Sequence, residues 1–414
     1  DEIYTLYTSG TTGAPKGVSR LSSSYAVHLK QSIRTLMNLR PGDVMFCASD
    51  IGWVVGHTYI VYAPLLGGCT SVLFEGKVPM RNGTEVWRIC EEWRVNVLFC
   101  APTALRALRG SDPDHTEVRR RDLRGLRNLM LAGERSEPSI VVAYSDALQA
   151  HVGKQFRVVD NYWSSESGSP ITGVLQSLDD KPHGKPGSAG PPTPGYDIRI
   201  VDDSGEELPI GSEGNIVLKT PLPPSMLTRL WRDTNNRFEA SYLRRFKGRW
   251  FDTGDAGKID HDGFVHILSR SDDIINVAAH RLSTGAFEAV IATVPGVSES
   301  CVVGMPDAIK GHVPIAFVVA QSKPDFEGIN KAVREEIGNI ASLAGIVWLK
   351  TPLPKTRSGK TLRRTCRAYV ENAINGEPDK SVEVPATIED PSVLKEVQRA
   401  VNEFVATRGG KAKL

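Results

Sequence analysis

The chain has 414 residues, room for two or three domains, and 40% of them are hydrophobic against 24% charged, a folding rather than a disordered composition. Lysine plus arginine total 50 and aspartate plus glutamate 48, a net charge of +2 that excludes nucleic-acid binding driven by bulk charge. No apolar run reaches the ~20 residues of a membrane span, and Cys47, Cys69, Cys90, Cys100, Cys301 and Cys366 form no C-x-x-C pair or metal-ligand spacing with histidine, so they read as reduced thiols of an intracellular protein and no zinc is expected.

Residues 3–7 carry the first strand signal, almost at the start, so further sequence is expected before Asp1, and the sequence from Asp1 onward itself holds no signal-peptide or transit pattern. Apolar runs at 44–48, 71–74, 95–100, 126–132 and 158–162 read as buried strands, and 24–36, 85–94 and 138–151 as helices. The alternation predicts an α/β layered domain around a largely parallel sheet. From about 184 the texture becomes strand-like with glycine and proline turns, a small β subdomain over about 184–269. Helical signals at 282–293 and 329–340 and strands at 297–303 and 315–320 predict a small α+β domain over 270–387. A terminal helix and tail follow over 388–414.

The chemistry concentrates first in residues 8–17, Thr-Ser-Gly-Thr-Thr-Gly-Ala-Pro-Lys-Gly, placed between a strand and a helical stretch. The glycines allow close backbone approach to an anion, and N–H groups, hydroxyls and Lys16 can face phosphate oxygens. The spacing is not a Walker A loop, because Pro15 stands where its last glycine belongs and no Ser or Thr follows Lys16. On composition alone a solvated Ser/Thr/Gly loop is the commoner reading.

Tyr7 through Gly17 nevertheless resembles the signature of the adenylate-forming enzymes, which include acyl-CoA synthetases, luciferases and peptide-synthetase adenylation domains. Four further motifs occur in the family's order: Asp160-Asn-Tyr-Trp-Ser-Ser-Glu166, Asp252-Thr-Gly-Asp255, Ser269 to Asn276 followed by His280-Arg281, and Pro354 to Lys360. Asp50 to His57 and Ile388 to Pro391 resemble the short-chain branch, the acetyl-CoA and propionyl-CoA synthetases. The resemblance implies that 1–269 is the later half of a large adenylation domain and 270–387 a mobile lid.

It also implies the reaction: a carboxylate and ATP form an acyl-adenylate and pyrophosphate, then CoA takes the acyl group and AMP leaves. ATP, Mg²⁺ and coenzyme A are the implied cofactors, and small molecules the only implied partners. Thr8, Ser9, Gly10, Thr11, Thr12, Gly13 and Lys16 would hold phosphates, and Glu166 the Mg²⁺. Gly133, Glu134, Arg135, Asp160, Tyr162 and Ser165 would line the nucleotide, with Ser165 standing where most members have Thr. Asp255 would accept from the ribose hydroxyls, with Arg270 and Arg281 near ribose and α-phosphate. Lys360 would act in adenylation only, Asp272 would be the hinge, and Arg334 would meet CoA phosphate. Outside the motifs, each of these would read as an ordinary turn or surface residue.

Trp163 matches the tryptophan that closes a short acyl pocket, with Val54, Val55 and Ala132 beside it. Acetyl-CoA synthetases typically carry Thr and Val where this chain has Val55 and Ala132, so propionate is expected as the preferred acid, with acetate or butyrate as the alternatives. Ala279 departs from a family glycine that borders the pantetheine tunnel, and an idle adenylate-binding module is the alternative of another class. The last residues, Ala412-Lys-Leu414, resemble a peroxisomal address, with cytoplasm or mitochondrial matrix as the other compartments.

Overall fold

The computed structural model describes residues 1–10, 13–76, 84–177, 184–277, 280–307, 310–356, 359–385 and 387–409, without the side chains at 9–10, 13–14, 276, 280–281 and 408–409. The chain divides into two compact units, Asp1–Ile267 and Leu268–Leu414.

The first unit is built on a five-stranded sheet whose order is Thr70–Val72, Val44–Cys47, Val97–Cys100, Asn128–Leu131 and Arg157–Asp160. Every neighbouring pair is parallel, as the alternating pattern predicts. The strands Val97–Cys100 and Asn128–Leu131 are buried at every residue, which is why they read as unbroken apolar runs. One face packs on Trp87, Leu105, Tyr144 and Leu148, from the helices Glu85–Glu92, Pro102–Ser111 and Pro138–Val152. The other packs on Tyr25, Leu29 and Ile33 of the helix Ser22–Thr35 and on Tyr59, Ile60 and Ala63. These last three lie in a helical stretch, 54–66, whose middle turns, His57–Tyr62, are π-helical, a form common at functional sites.

Strand carboxyl ends in such a sheet are where ligands usually sit. Asp160 closes one strand, and Ala132 and Gly133 directly follow another. A four-stranded sheet follows, in the order Val265–Arg270, Trp250–Ile259, Gly214–Lys219 and Ile198–Val201. Its core joins Ile198, Ile216, Leu218 and Phe251 to Val18 of the opening hairpin.

In the second unit the central strand Gly311–Ala320 pairs with Val297–Asp307 and, in parallel, with Gly345–Leu349. The hairpin of Ile275–Val277 and His280–Leu282 extends the sheet. One face carries Phe287 and Val333 of the helices Thr284–Ile291 and Phe326–Ile337. The other carries Tyr369 and Val370 of Arg363–Ile374 and Val397 and Val401 of Val393–Gly409. The helix Arg363–Ile374 is hidden in the sequence by the basic run that opens it.

That basic run has a structural task. The Arg363 guanidinium binds both Glu288 oxygens, donates to the Val302 carbonyl at 2.7 Å and sits 3.2 Å from Asp273. Arg367 donates to Asp273 at 2.7 Å. Removing one member of a buried charge cluster leaves the others uncompensated. Arg363→Met is therefore expected to destabilise the second unit by about 3–5 kcal/mol, read as a lower urea midpoint; an unchanged midpoint would contradict the assigned role.

Candidate active site

Residues 8–17 are not the free loop before a helix that composition suggests. Glu2–Gly10 and Gly13–Leu21 form an antiparallel hairpin, with Tyr7 opposite Gly17, Thr8 opposite Lys16, and Gly10 opposite Gly13. Thr11 and Thr12 lie outside the described residues, as do the side chains of Ser9, Gly10 and Gly13. Strand pairing puts the Thr8 hydroxyl and the Lys16 ammonium at one rung. Thr8 Oγ1 is buried with no hydrogen-bond partner among the described residues. Such an orphaned donor suits an anionic ligand.

Lys16 is nearly buried, at 7% exposure. Its Nζ lies 3.9 Å from Glu166 Oε1 and 4.2 Å from the centre of the Tyr242 ring. The Tyr242 hydroxyl donates to the same Glu166 oxygen at 2.6 Å, and its ring stacks on Phe251 at 4.9 Å. A cation, a carboxylate and an aromatic face thus meet beside the hairpin. No cluster of three or more metal-ligating side chains occurs among the described residues. A lone carboxylate suits Mg²⁺, which keeps water and substrate phosphates as its other ligands.

Sequence reading passes over Arg20 and Tyr242, because neither belongs to a motif. Arg20 is 1% exposed and donates to the carbonyls of Ser225 at 2.7 Å, Glu166 at 3.1 Å and Ser165. The 164–169 turn is tied elsewhere too. Ser167 Oγ donates to the Ser169 carbonyl at 2.8 Å, and Thr58 Oγ1 to that of Gly168 at 2.7 Å. Gly168, at φ +71°, has no room for a side chain, since a Cβ would lie 2.7 Å from the Arg20 guanidinium carbon.

Asp255 is presented by a bulge. On the strand Trp250–Ile259, Asp252 faces Val217 and Asp255 faces the very next residue, Ile216, so Thr253 and Gly254 are extra. Gly254 takes φ +73°, its N–H reaches Asp252 Oδ1 at 2.9 Å, and Thr253 Oγ1 donates to the Ile216 carbonyl at 2.6 Å. Bulges re-aim side chains in this way, and here Asp255 receives the Tyr162 hydroxyl at 2.6 Å. Asp160 ends its strand opposite Leu131. Gly133 adopts φ +101° with open space where a Cβ would stand, an uncovered backbone face suited to a flat ring. Glu134 accepts from Arg106 at 2.8 Å and from Thr103, and Arg135 is half-buried.

Val55, Ala132 and Trp163 gather in one apolar cluster with Tyr59 and Phe99. The Trp163 ring meets Tyr59 edge-on at 5.6 Å and Phe99 at 6.4 Å. Val54, the residue before, is half-buried at the head of the helical stretch.

The remaining sequence-predicted residues lie in the second unit. Asp272 starts from the short helix Ser271–Asp273. Arg364 donates to its Oδ2 at 2.6 Å, Arg270 Nε stands 3.5 Å from Oδ1, and Arg367 donates to its carbonyl at 3.2 Å. Burial would raise the Asp272 carboxyl, but Arg364 and Arg270 hold it below the usual range. Lys360 is exposed on a tight turn closed by Thr356 N–H to the Lys360 carbonyl at 2.8 Å, with Gly359 at φ +86°. Arg334 is exposed near the end of its helix. Arg281 pairs with Asn276 in the backbone ladder, while its side chain, Ala279 and the terminal Ala412-Lys-Leu414 lie outside the described residues.

With the geometry in place, the comparisons decide the family. The AMP-binding enzyme family matches residues 1–228, more than half of the chain, and its C-terminal domain matches 286–360. The chain belongs to the AMP-binding enzyme family. Its relatives include acyl-CoA synthetase short-chain family member 3, mitochondrial, of Mus musculus, 42% identical over 97% of this chain and 58% of that protein. Propionate–CoA ligase of Escherichia coli is 41% identical over 96% of this chain and 62% of that protein. The chain thus spans about three-fifths of the length of these curated relatives. Acetoacetyl-CoA synthetase of Streptomyces lividans shares the fold at TM-score 0.83 and 24% identity, over 98% of this chain and 60% of that one. Among the described residues no helix is long and apolar enough to cross a membrane.

Asp160 gives this family member a pH signature. Burial, offset in part by hydrogen bonds from Ser136 and Asn161, pushes its carboxyl up to about 7, against ~3.9 for a free aspartate. A group raised on folding contributes stability in full below its unfolded pKa and loses it as pH rises through the folded one. Asp160→Asn, which cannot ionise, is expected to gain melting temperature over the wild type from pH 5 to 7 and to keep a constant lead above. Thermal unfolding from pH 5 to 8.5 checks this; a pH-independent difference would exclude a raised Asp160.

Proposed function

We propose that the protein activates a short-chain carboxylic acid, propionate by preference, to acyl-AMP with ATP and then transfers the acyl group to CoA. The observation that carries this reading is the meeting of Lys16, Glu166 and Tyr242 beside the orphaned Thr8 hydroxyl. The names of the propionate–CoA ligase and short-chain synthetase relatives support the substrate class.

Bringing a carboxylate to a triphosphate requires positive charge and fixed donors. Thr8 and Lys16, with Ser9 to Gly13, supply them for the phosphates. Mg²⁺, when bound at Glu166, would neutralise phosphate charge. Asp255, aimed by its bulge and bonded to Tyr162, accepts from the ribose hydroxyls. Asp160 and the open Gly133 backbone receive adenine, with Glu134, Arg135 and Ser165 lining the nucleotide. Arg270, Arg281 and Lys360 contribute cations from the second unit, Lys360 for adenylation alone. Asp272 serves as the hinge, and Arg334 meets CoA phosphate. ATP and CoA as substrates place the reaction inside a cell, in the cytoplasm, mitochondrial matrix or peroxisome.

The Val55–Ala132–Trp163 cluster limits the acid. Trp163 closes the pocket, and Ala132 leaves room for one more methylene than valine would. A methylene is worth only ~1–3 kcal/mol, so acetate is expected to remain a poor substrate.

Two measurements on the full-length protein check the reading. Propionate-dependent ATP–pyrophosphate exchange is expected, and Lys360→Ala should lower it by on the order of 10²–10³-fold while sparing CoA acylation from preformed propionyl-AMP. Exchange that survives in this variant removes Lys360 from the first half-reaction. Across acetate, propionate and butyrate, Ala132→Val should shift preference toward acetate by ~10-fold or more; an unshifted series would place the acyl group elsewhere.

A further inference from the structure

Arg20 is a fully buried guanidinium that belongs to none of the motifs. Its hydrogen bonds go to main-chain carbonyls rather than to an acid: Ser165, Glu166 and Ser225. Two of these belong to consecutive residues of the turn that carries Glu166. The guanidinium carbon also lies 5.4 Å from the Tyr25 ring centre. Tyr25 in turn bonds Thr58 at 2.7 Å, and Thr58 bonds the Gly168 carbonyl two residues past Glu166. Leu227 N–H, at 2.9 Å, shares the Glu166 carbonyl with Arg20. Lys16 and Arg20 stand four residues apart on one strand, Gly13–Leu21, so the strand that presents the phosphate cation also anchors the turn that presents the carboxylate.

We propose that Arg20 is a positioning residue that sets the Glu166 carboxylate for Mg²⁺·ATP by clamping the Ser165 and Glu166 carbonyls to the strand bearing Lys16. The proposal rests on the adenylation reading above. A planar fork with several fixed donors can span neighbouring carbonyls, whereas a lysine ammonium is a point donor on a flexible stem and cannot. Groups that orient a metal-binding carboxylate without touching the metal are typically worth ~10–100-fold in metal affinity. The clamp should therefore appear in how strongly Mg²⁺ tightens ATP, and not in the nucleoside contacts at Asp160 and Asp255.

The test is equilibrium binding by the full-length protein. ATP affinity is measured with Mg²⁺ and with chelator, and adenosine affinity alongside, for wild type, Arg20→Met and Arg20→Lys. The expected result is that the Mg²⁺-dependent tightening of ATP falls by ~10–100-fold in Arg20→Met. It should fall by a smaller factor in Arg20→Lys, with adenosine affinity unchanged in both. Should Arg20→Met fail to fold, Arg20→Lys, which keeps the charge and most of the bulk, decides alone. An unchanged Mg²⁺ effect in Arg20→Lys, or equal loss of ATP and adenosine binding, would overturn the proposal. Wild-type protein that binds no ATP would instead overturn the adenylation reading beneath it.

Discussion

Everything in the first unit converges on keeping one buried ammonium and one carboxylate close but unfused. Lys16 and Glu166 stand 3.9 Å apart, at the outer edge of ion pairing, with their side chains at 8% and 15% exposure. Taking both out of water is costly unless other groups compensate. Tyr242 does so twice, giving its hydroxyl to the carboxylate and its ring face to the ammonium. The hairpin fixes the lysine through strand pairing, and the Arg20 clamp fixes the turn that carries the glutamate.

The same logic recurs at Asp160 and Asp255. Asp160 ends a parallel strand whose burial raises its carboxyl, and Asp255 is turned out of an antiparallel strand by two inserted residues. One acid is placed by the sheet's edge, the other by a defect in a ladder. The Val55–Ala132–Trp163 cluster then sits on the face of the parallel sheet where the π-helical turns of 54–66 pack.

How much of this the sequence discloses depends on whether burial leaves a pattern. Parallel strands buried on both faces leave continuous apolar runs, so the layered domain and its sheet are legible. The hairpin is legible only in its first arm, where residues 3–7 read as a strand; the second arm, Gly13–Leu21, opens polar and glycine-rich, and only pairing tells it from a loop. The Asp255 bulge reads as a turn because Thr-Gly-Asp carries turn chemistry wherever it sits. The helix Arg363–Ile374 reads as a basic run because its arginines serve Asp272, Asp273 and Glu288, acids scattered through the preceding hundred residues. Arg20 leaves no pattern at all, since carbonyl acceptors have no sequence identity. Motif residues carry a pattern of residue types, and the groups that support them do not.

The central claim is that a carboxylate oxygen attacks the α-phosphate of ATP at this site. It is tested most directly with propionate labelled with ¹⁸O in both carboxylate oxygens, ATP and CoA, followed by mass spectrometry of the products of the full-length protein. Attack on the α-phosphate makes one labelled oxygen the bridge of the acyl-adenylate and keeps the other in its carbonyl, and thiolysis at the acyl carbon leaves the bridging oxygen on AMP and the other in the thioester. The account predicts AMP bearing a single ¹⁸O, with unlabelled pyrophosphate. Unlabelled AMP, or label in orthophosphate beside ADP, would contradict it.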